Sequence, residues 1–386
     1  MVLLSLLACG PNIASLYEAE RKHALTVAST APEGWEPDLI VSAGIGTLET
    51  LVRVRLDGAL EELAPPRKGA GLGTITPNLK VKHVSLTPSD VCDACLQLRI
   101  ELGGDVSTVL LGARLSTGVE GMVKGQVELG VQEGRRVVVQ VRQINKVELG
   151  ARDFDPLGLG SIDSLFGAQV RSLVAAALPP IPVVDLAATT LPVRLLRVKR
   201  HEEGVRVEVL TDVPGATAAR IADVGGERLR LGVSESALTG LVRRAAFERG
   251  LLPELDMGID PRRLDVEGDR FTLDLRLWRL VGAGWWRDYT AAGTLGVADG
   301  QLRLDVTKGS VKETGASPGA GLVDPLAALF QSEVLKAIAQ NLDRSLPAAT
   351  GSKNSGLRAR TVATAVRGEG DTLVVDAELR TAGASR

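Results

Sequence analysis

Apolar positions along this chain switch between two periods. Leu96, Leu98, Ile100 and Leu102 alternate with polar neighbours, as do Val137, Val139 and Val141, then Phe271, Leu273, Leu275 and Leu277, and later Leu302, Leu304 and Val306. A period of two places one set of side chains on one side of a strand. The gaps between these segments are short and rich in turn residues, which predicts antiparallel meanders. Elsewhere the period is helical. Ala237, Leu238, Leu241, Val242 and Ala245 share a face, Ser234 stands as N-cap, Glu235 lies in the first turn and Gly250 is placed to end the helix. Phe247 falls on the opposite face, which predicts apolar contact on both sides of that helix. Phe166, Val170, Leu173, Val174 and Ala177 form a second stripe; Phe330, Val334, Ile338 and Leu342 form a third.

These elements recur in one order. LETLVR at 48–53 is echoed by LTGLVR at 238–243. Asp155-Pro156-Leu157 precedes SLFGAQVRSLVAAALP, and Asp324-Pro325-Leu326 precedes ALFQSEVLKAIAQNLDRSLP; both contain LFxxxV. Each is followed by a hairpin pattern, PVRLLRVKR-HEEG-VRVEVLTDV and then RARTVATAVR-GEGD-TLVVDAEL. A spacing of about 170 to 190 residues is far longer than a solenoid repeat. It predicts an α+β protein of two tandem pseudo-symmetric units, 38–212 and 229–386, joined by a linker at 213–228. Each unit is expected to be a twisted antiparallel sheet or barrel wrapped around long amphipathic helices.

Composition narrows the function. A net charge of -2 over 386 residues gives no footprint for nucleic acid. Eleven aromatics against 43 glycines argue against an aromatic-girdled membrane barrel and against base-stacking surfaces. His23, His83 and His201 lie far apart, without metal-ligand or dyad spacing, so no metal site is expected. The best handle for a hydrolase, Gly232-Val233-Ser234-Glu235-Ser236, lacks the GxSxG glycine and any histidine partner, so no enzyme is expected.

The segment MVLLSLLACG has the pattern of a bacterial lipobox: residues 1–8 as leader, Cys9 acylated, and 9–37 as anchor linker, read as a stalk or a short helix plus linker. No Lys or Arg precedes the apolar run, and Gly10 follows the cysteine, which points to the outer membrane of a bacterial envelope. Cys92-Asp93-Ala94-Cys95 supplies two of four zinc ligands and precedes a strand, so it reads as a local structural disulfide formed in the periplasm. Trp285 and Trp286, beside Arg287, are candidates for membrane contact; the competing expectation is that alternate strand faces bury one and expose the other. Glycine- and proline-rich stretches at 64–77 and 308–321 mark places able to move.

The order of elements, the doubling, and RLGVSESALTGLVRRAAFERGLL at 230–252 resemble the TULIP superfamily, the group of bactericidal/permeability-increasing proteins. The resemblance covers most of 38–383. It implies two barrel-like halves joined through a central sheet, each holding acyl chains between helices and sheet. The long-range disulfide of the mammalian members is replaced by a pair able to bridge only locally, and the basic tip that recognises lipopolysaccharide has no counterpart. Cavity-lining candidates are Leu48, Leu51, Val52, Phe166, Val170 and Leu173 in the first unit, with Leu238, Leu241, Val242, Phe330, Val334 and Ile338 in the second. The expected ligand is a phospholipid or related lipid, with no other cofactor, bound at the envelope, with transfer between membranes as a second expected role. The alternative is a scaffold lipoprotein with closed cores.

Overall fold

The computed structural model describes residues 12–27, 33–62, 67–69, 73–110, 113–151, 180–186, 191–251, 257–282, 284–307, 310–317 and 359–381. A helix α1 (Ile13–Ala24) comes first. Then follow β1 (Leu39–Gly44), α2 (Ile45–Glu62), β2 (Arg67–Gly69), β3 (Gly73–Pro88), β4 (Cys95–Leu110), β5 (Ala113–Gln132), β6 (Arg136–Ala151), β7 (Ile181–Asp185), β8 (Val193–His201) and β9 (Gly204–Thr211). The chain continues with β10 (Arg228–Ser234), α3 (Glu235–Arg249), β11 (Met257–Glu267), β12 (Arg270–Arg279), β13 (Trp285–Ala298), β14 (Gln301–Val306), β15 (Lys312–Ala316), β16 (Ala359–Glu369) and β17 (Thr372–Thr381).

A six-stranded sheet of order β16-β17-β10-β1-β9-β8 lies at the centre. Its pairing carries the repeat. β1 is antiparallel to β10, and Val41 faces Leu231. Those residues are also equivalent by sequence, because the shift from Leu48 to Leu238 that superposes the two LxxLVR motifs carries 41 onto 231. Each strand then pairs outward with its own hairpin, β1 with β9 and β10 with β17. The helix starts correspond as well: Ile45 N donates to Glu203 O at 2.8 Å, and Glu235 N to Asp371 O at 3.0 Å. The turns HEEG and GEGD thus supply the same cap to α2 and α3, satisfying a first-turn amide that has no partner inside the helix.

Flanking sheets extend from this centre. In the first unit (38–212) the meander runs β2-β3-β4-β5-β6-β7, and in the second (229–381) β11-β12-β13-β14, with β15 added on β13. The alternation read from sequence holds: Leu96, Leu98 and Ile100 are buried while Gln97 and Arg99 are exposed, and Phe271, Leu273, Leu275 and Leu277 are buried in the same way. Bulges interrupt β6 opposite Lys124/Gly125 and Gln126/Val127, where extra residues bend a strand and increase its twist.

The helical expectation needs correction. The described chain is mostly sheet, curled into a half-barrel, and its helices are few and short, at 12, 18 and 15 residues, where long amphipathic ones were expected. The predicted helices around 164–179 and 328–347 lie outside the described residues. Within 9–37 the short helix forms as α1, and it packs on the second unit. Its Tyr17 inserts between Phe247 and Trp278, with ring centroids 5.4 and 5.9 Å away. A helix that can bury a tyrosine and pair its Glu20 gains more by docking than by remaining solvated.

The linker 213–228 also does more than connect. It crosses the outer face of the central sheet, where Ala219 and Ile221 cover Ile40 and Val374 and the Ser42 hydroxyl accepts from Val224 N at 3.1 Å.

Candidate lipid-binding interior

In the first unit the inner faces of β3 to β7 and the inner stripe of α2 meet in one aliphatic layer. Val84, Leu86, Leu96, Leu98, Ile100, Leu102, Val119, Val123, Val127, Leu129, Val137 and Val139 come from the sheet, and Leu48, Leu51, Val52, Leu56 and Leu60 from the helix. The sequence from 38 to 212 holds two aromatics, Phe154 and Phe166, both outside the described residues. Two hydrogen bonds hold α2 on the edge strand: Leu86 N donates to Glu49 Oε1 at 2.8 Å and Val81 N to Asp57 Oδ1 at 3.3 Å.

The near end of this meander is tied to the central sheet. Arg200 of β8 donates to the carbonyls of Ser89 at 2.7 Å and Cys95 at 3.1 Å. Cys92 and Cys95 are disulfide-bonded, closing the turn from which β4 departs. The bridge and the arginine together fix where the long strands leave the centre. At the start of β1, buried Asp38 accepts from Thr211 N at 2.9 Å and from Thr211 Oγ1 at 2.6 Å, while burial raises its carboxyl pKa.

The second unit presents different chemistry at equivalent places. From 229 to 386 the sequence holds seven aromatics. Phe271, Trp285 and Tyr289 lie in the core beside Leu273, Leu275 and Leu277. Arg287 also points inward, 8% exposed, with its guanidinium 5.2 Å from the Trp285 ring and an ion pair to Glu313 at 3.4 Å.

Helix α1 closes the seam between α3 and β11. Arg243 donates to Asp260 at 2.6 Å and to Glu20 at 2.5 Å, and Arg262 adds a bond to Glu20 at 3.1 Å. Asp260 is fully buried, and burial raises its carboxyl pKa against the opposing pull of Arg243. Burial also acts upward on Glu20, but the Arg243 hydrogen bond and charge outweigh it, so Glu20 sits below the usual glutamate value. Close approach requires glycine. A Cβ on Gly258 would lie 2.5 Å from the Tyr17 ring, and one on Gly284 would lie 3.0 Å from Ile13.

The predicted site residues divide accordingly. Leu48, Leu51, Val52, Leu238, Leu241 and Val242 are all buried and belong to one continuous core. Phe166, Val170, Leu173, Phe330, Val334, Ile338 and the lipidation candidate Cys9 lie outside the described residues. Trp285, offered as a membrane contact, is a core residue at 3% exposure. Trp286 is half-buried, its ring stacked 3.8 Å from the Arg276 guanidinium. Strand alternation accounts for both, since neighbours point to opposite faces. Sequence reading missed Tyr17, Glu20, Asp260 and Arg243 as a cluster; the available signal was Phe247 on the outward face of its helix. Among the described residues no group of three or more His, Cys, Asp or Glu could hold a metal, and no helix is long and apolar enough to cross a membrane.

The fold and interior define a class first: a mostly β protein whose curled antiparallel meanders enclose a largely apolar core and share a central sheet. No family model matches the sequence, and no curated protein matches it. Among solved structures the chain is similar to a crystal structure of lipopolysaccharide binding protein, with a TM-score of 0.40 and 11% sequence identity, over 90% of this chain and 99% of that one.

Proposed function

We propose that this protein binds an acyl-chain lipid, a phospholipid or close relative, in its apolar interior. The observation that supports the reading is a mismatch of lengths in the first unit. β5 has 20 residues, about 65 Å if extended, whereas α2 has 18 and reaches about 27 Å. The inward aliphatic row of β5 from Val119 to Leu129 alone covers about 33 Å. An acyl chain needs about 15 Å, half of a bilayer's hydrocarbon core. Burying sixteen carbons recovers on the order of 10 kcal/mol, enough to offset much of the cost of leaving a membrane. The stripe at Phe166, Val170 and Leu173 is proposed as a further wall.

The role is non-enzymatic. Acylated Cys9 holds the chain at the bacterial outer membrane, and the bound lipid is stored or passed between membranes there. The test is to incubate purified protein with vesicles of phosphatidylethanolamine and phosphatidylglycerol, re-isolate it and record its native mass. A bound mass equal to one of those lipids is the expected result. Bare polypeptide overturns the reading in favour of a closed envelope scaffold.

A further inference from the structure

We infer that lipid occupies the first unit alone, and that the second unit is a filled and fastened copy that no longer takes a ligand. This rests on the lipid-binding reading above and goes beyond it, because the tandem architecture by itself suggests one lipid per unit.

Three independent differences carry the inference. The first is what fills the inner faces. On β4 and β5 the inward rows described are Leu, Ile, Val, Gly and Thr, which can slide against an acyl chain; on β12 and β13 the corresponding space holds the rings of Phe271, Trp285 and Tyr289 and the buried Arg287. The buried Arg287 guanidinium, whose ion-pair partner Glu313 is exposed, disfavours a hydrocarbon tail beside it, since a tail there would desolvate the charge further. The second is length. β3 to β6 run 16 to 20 residues, whereas β11 to β14 run 6 to 14, so the second sheet offers much less face beyond the helix lying on it. The third is the seam between helix and edge strand, where a lipid would have to enter from the side. In the second unit α1 lies across it, held by the buried Tyr17 and by Glu20 bonded to Arg243 and Arg262. In the first unit the position equivalent to Phe247 is Asp57, a carboxylate that accepts Val81 N and offers no aromatic platform for such a helix.

The distribution of tryptophan supplies the experiment. Trp278, Trp285 and Trp286 all belong to the second unit, and the remaining one, Trp35, stacks on Arg197 of the central sheet. Phosphatidylcholine carrying bromine on its acyl chains quenches indoles only at near-contact range. Vesicles of this lipid are mixed with the full chain, the protein is re-isolated, and native mass and tryptophan emission are recorded together. One bound lipid per chain with emission unchanged is the expected result, and Val123→Trp, which places an indole on the inner face of β5, is expected to add emission that the lipid quenches. Two lipids per chain, or one lipid with loss of the wild-type emission, overturns the inference while leaving lipid binding intact. No bound lipid removes both. If Val123→Trp does not fold, the wild-type mass and emission still decide the outcome.

Discussion

The two copies of the LxxLVR helix start alike and end in different chemistry. Leu48, Leu51 and Val52 on α2 and Leu238, Leu241 and Val242 on α3 all enter the same core. Even the hydrogen bonds to the edge strand correspond, for Glu49 accepts Leu86 N and its equivalent Thr239 accepts Leu264 N. The arginines that close the motif then part. Arg53 is exposed, whereas Arg243 is held between Asp260 and Glu20. A further turn along, Asp57 bonds its own sheet while Phe247 receives Tyr17. The inward half of each helix preserves the fold, and the outward half decides whether another element docks. One unit is thereby left with a lining free of aromatic rings among its described residues, and the other gains aromatic rings, a buried arginine and a covering helix.

Substitutions can break that contrast, and the largest effect falls on its charged pivot. Arg243→Ala leaves Asp260 buried without its principal partner and is expected to cost about 3–5 kcal/mol in urea unfolding. If Asp260→Asn is added, much of that loss is expected to return, because the stranded charge is gone. Tyr17→Ala empties the space between Phe247 and Trp278 and is expected to cost about 3 kcal/mol. Hydrogen exchange should place the damage in β11 and β12 and leave β3 to β6 protected; uniform loss of protection would mean that α1 is not specific to the second unit.

A smaller effect is expected from pH. Glu20 has a folded pKa below its unfolded value of 4.5, so its contribution to α1 docking is complete above 4.5 and is lost as pH falls through the depressed folded value. For a partly exposed pair this amounts to about 0.5–1 kcal/mol. Protection factors of α1 amides, taken relative to the intrinsic exchange rate at each pH, should fall as the solution is acidified through that window, and Glu20→Gln should remove this dependence. Smallest of all, Arg53→Ala should change stability by less than about 0.5 kcal/mol, as for an ordinary surface site. A loss comparable to that of Arg243→Ala would erase the distinction between the two helices.

Much of the sheet was legible in the chain because strand geometry is local. Alternation at Leu96 to Leu102 and Phe271 to Leu277 identified the inner faces, and Ser234 announced the start of α3, where its hydroxyl accepts Ala237 N at 3.2 Å. The two hairpins read from the recurrence form β8-β9 and β16-β17, the outer strands of the central sheet that the resemblance implied. The docking of α1 was not legible: Tyr17, Phe247 and Trp278 come from three separate elements, and nothing short-range couples them. For Trp285 and Trp286 the outcome follows the strand alternation weighed against membrane contact, since Trp285 is buried and Trp286 half-buried. The linker was read as a connection because its turn residues dominate, whereas Ala219, Ile221 and Val224 are buried on the sheet's outer face.

The central claim is that an acyl chain lies along the inner face of the first unit. Its most direct test is a phosphatidylethanolamine bearing a photoactivated diazirine at mid-chain, loaded onto the full chain, irradiated and mapped by peptide mass spectrometry. Adducts on the peptides of β4, β5 and α2, at or beside Ile100, Val123 and Leu56, are expected. Adducts confined to β12, β13 and α3, or a loaded protein that yields none within either unit, would contradict the account.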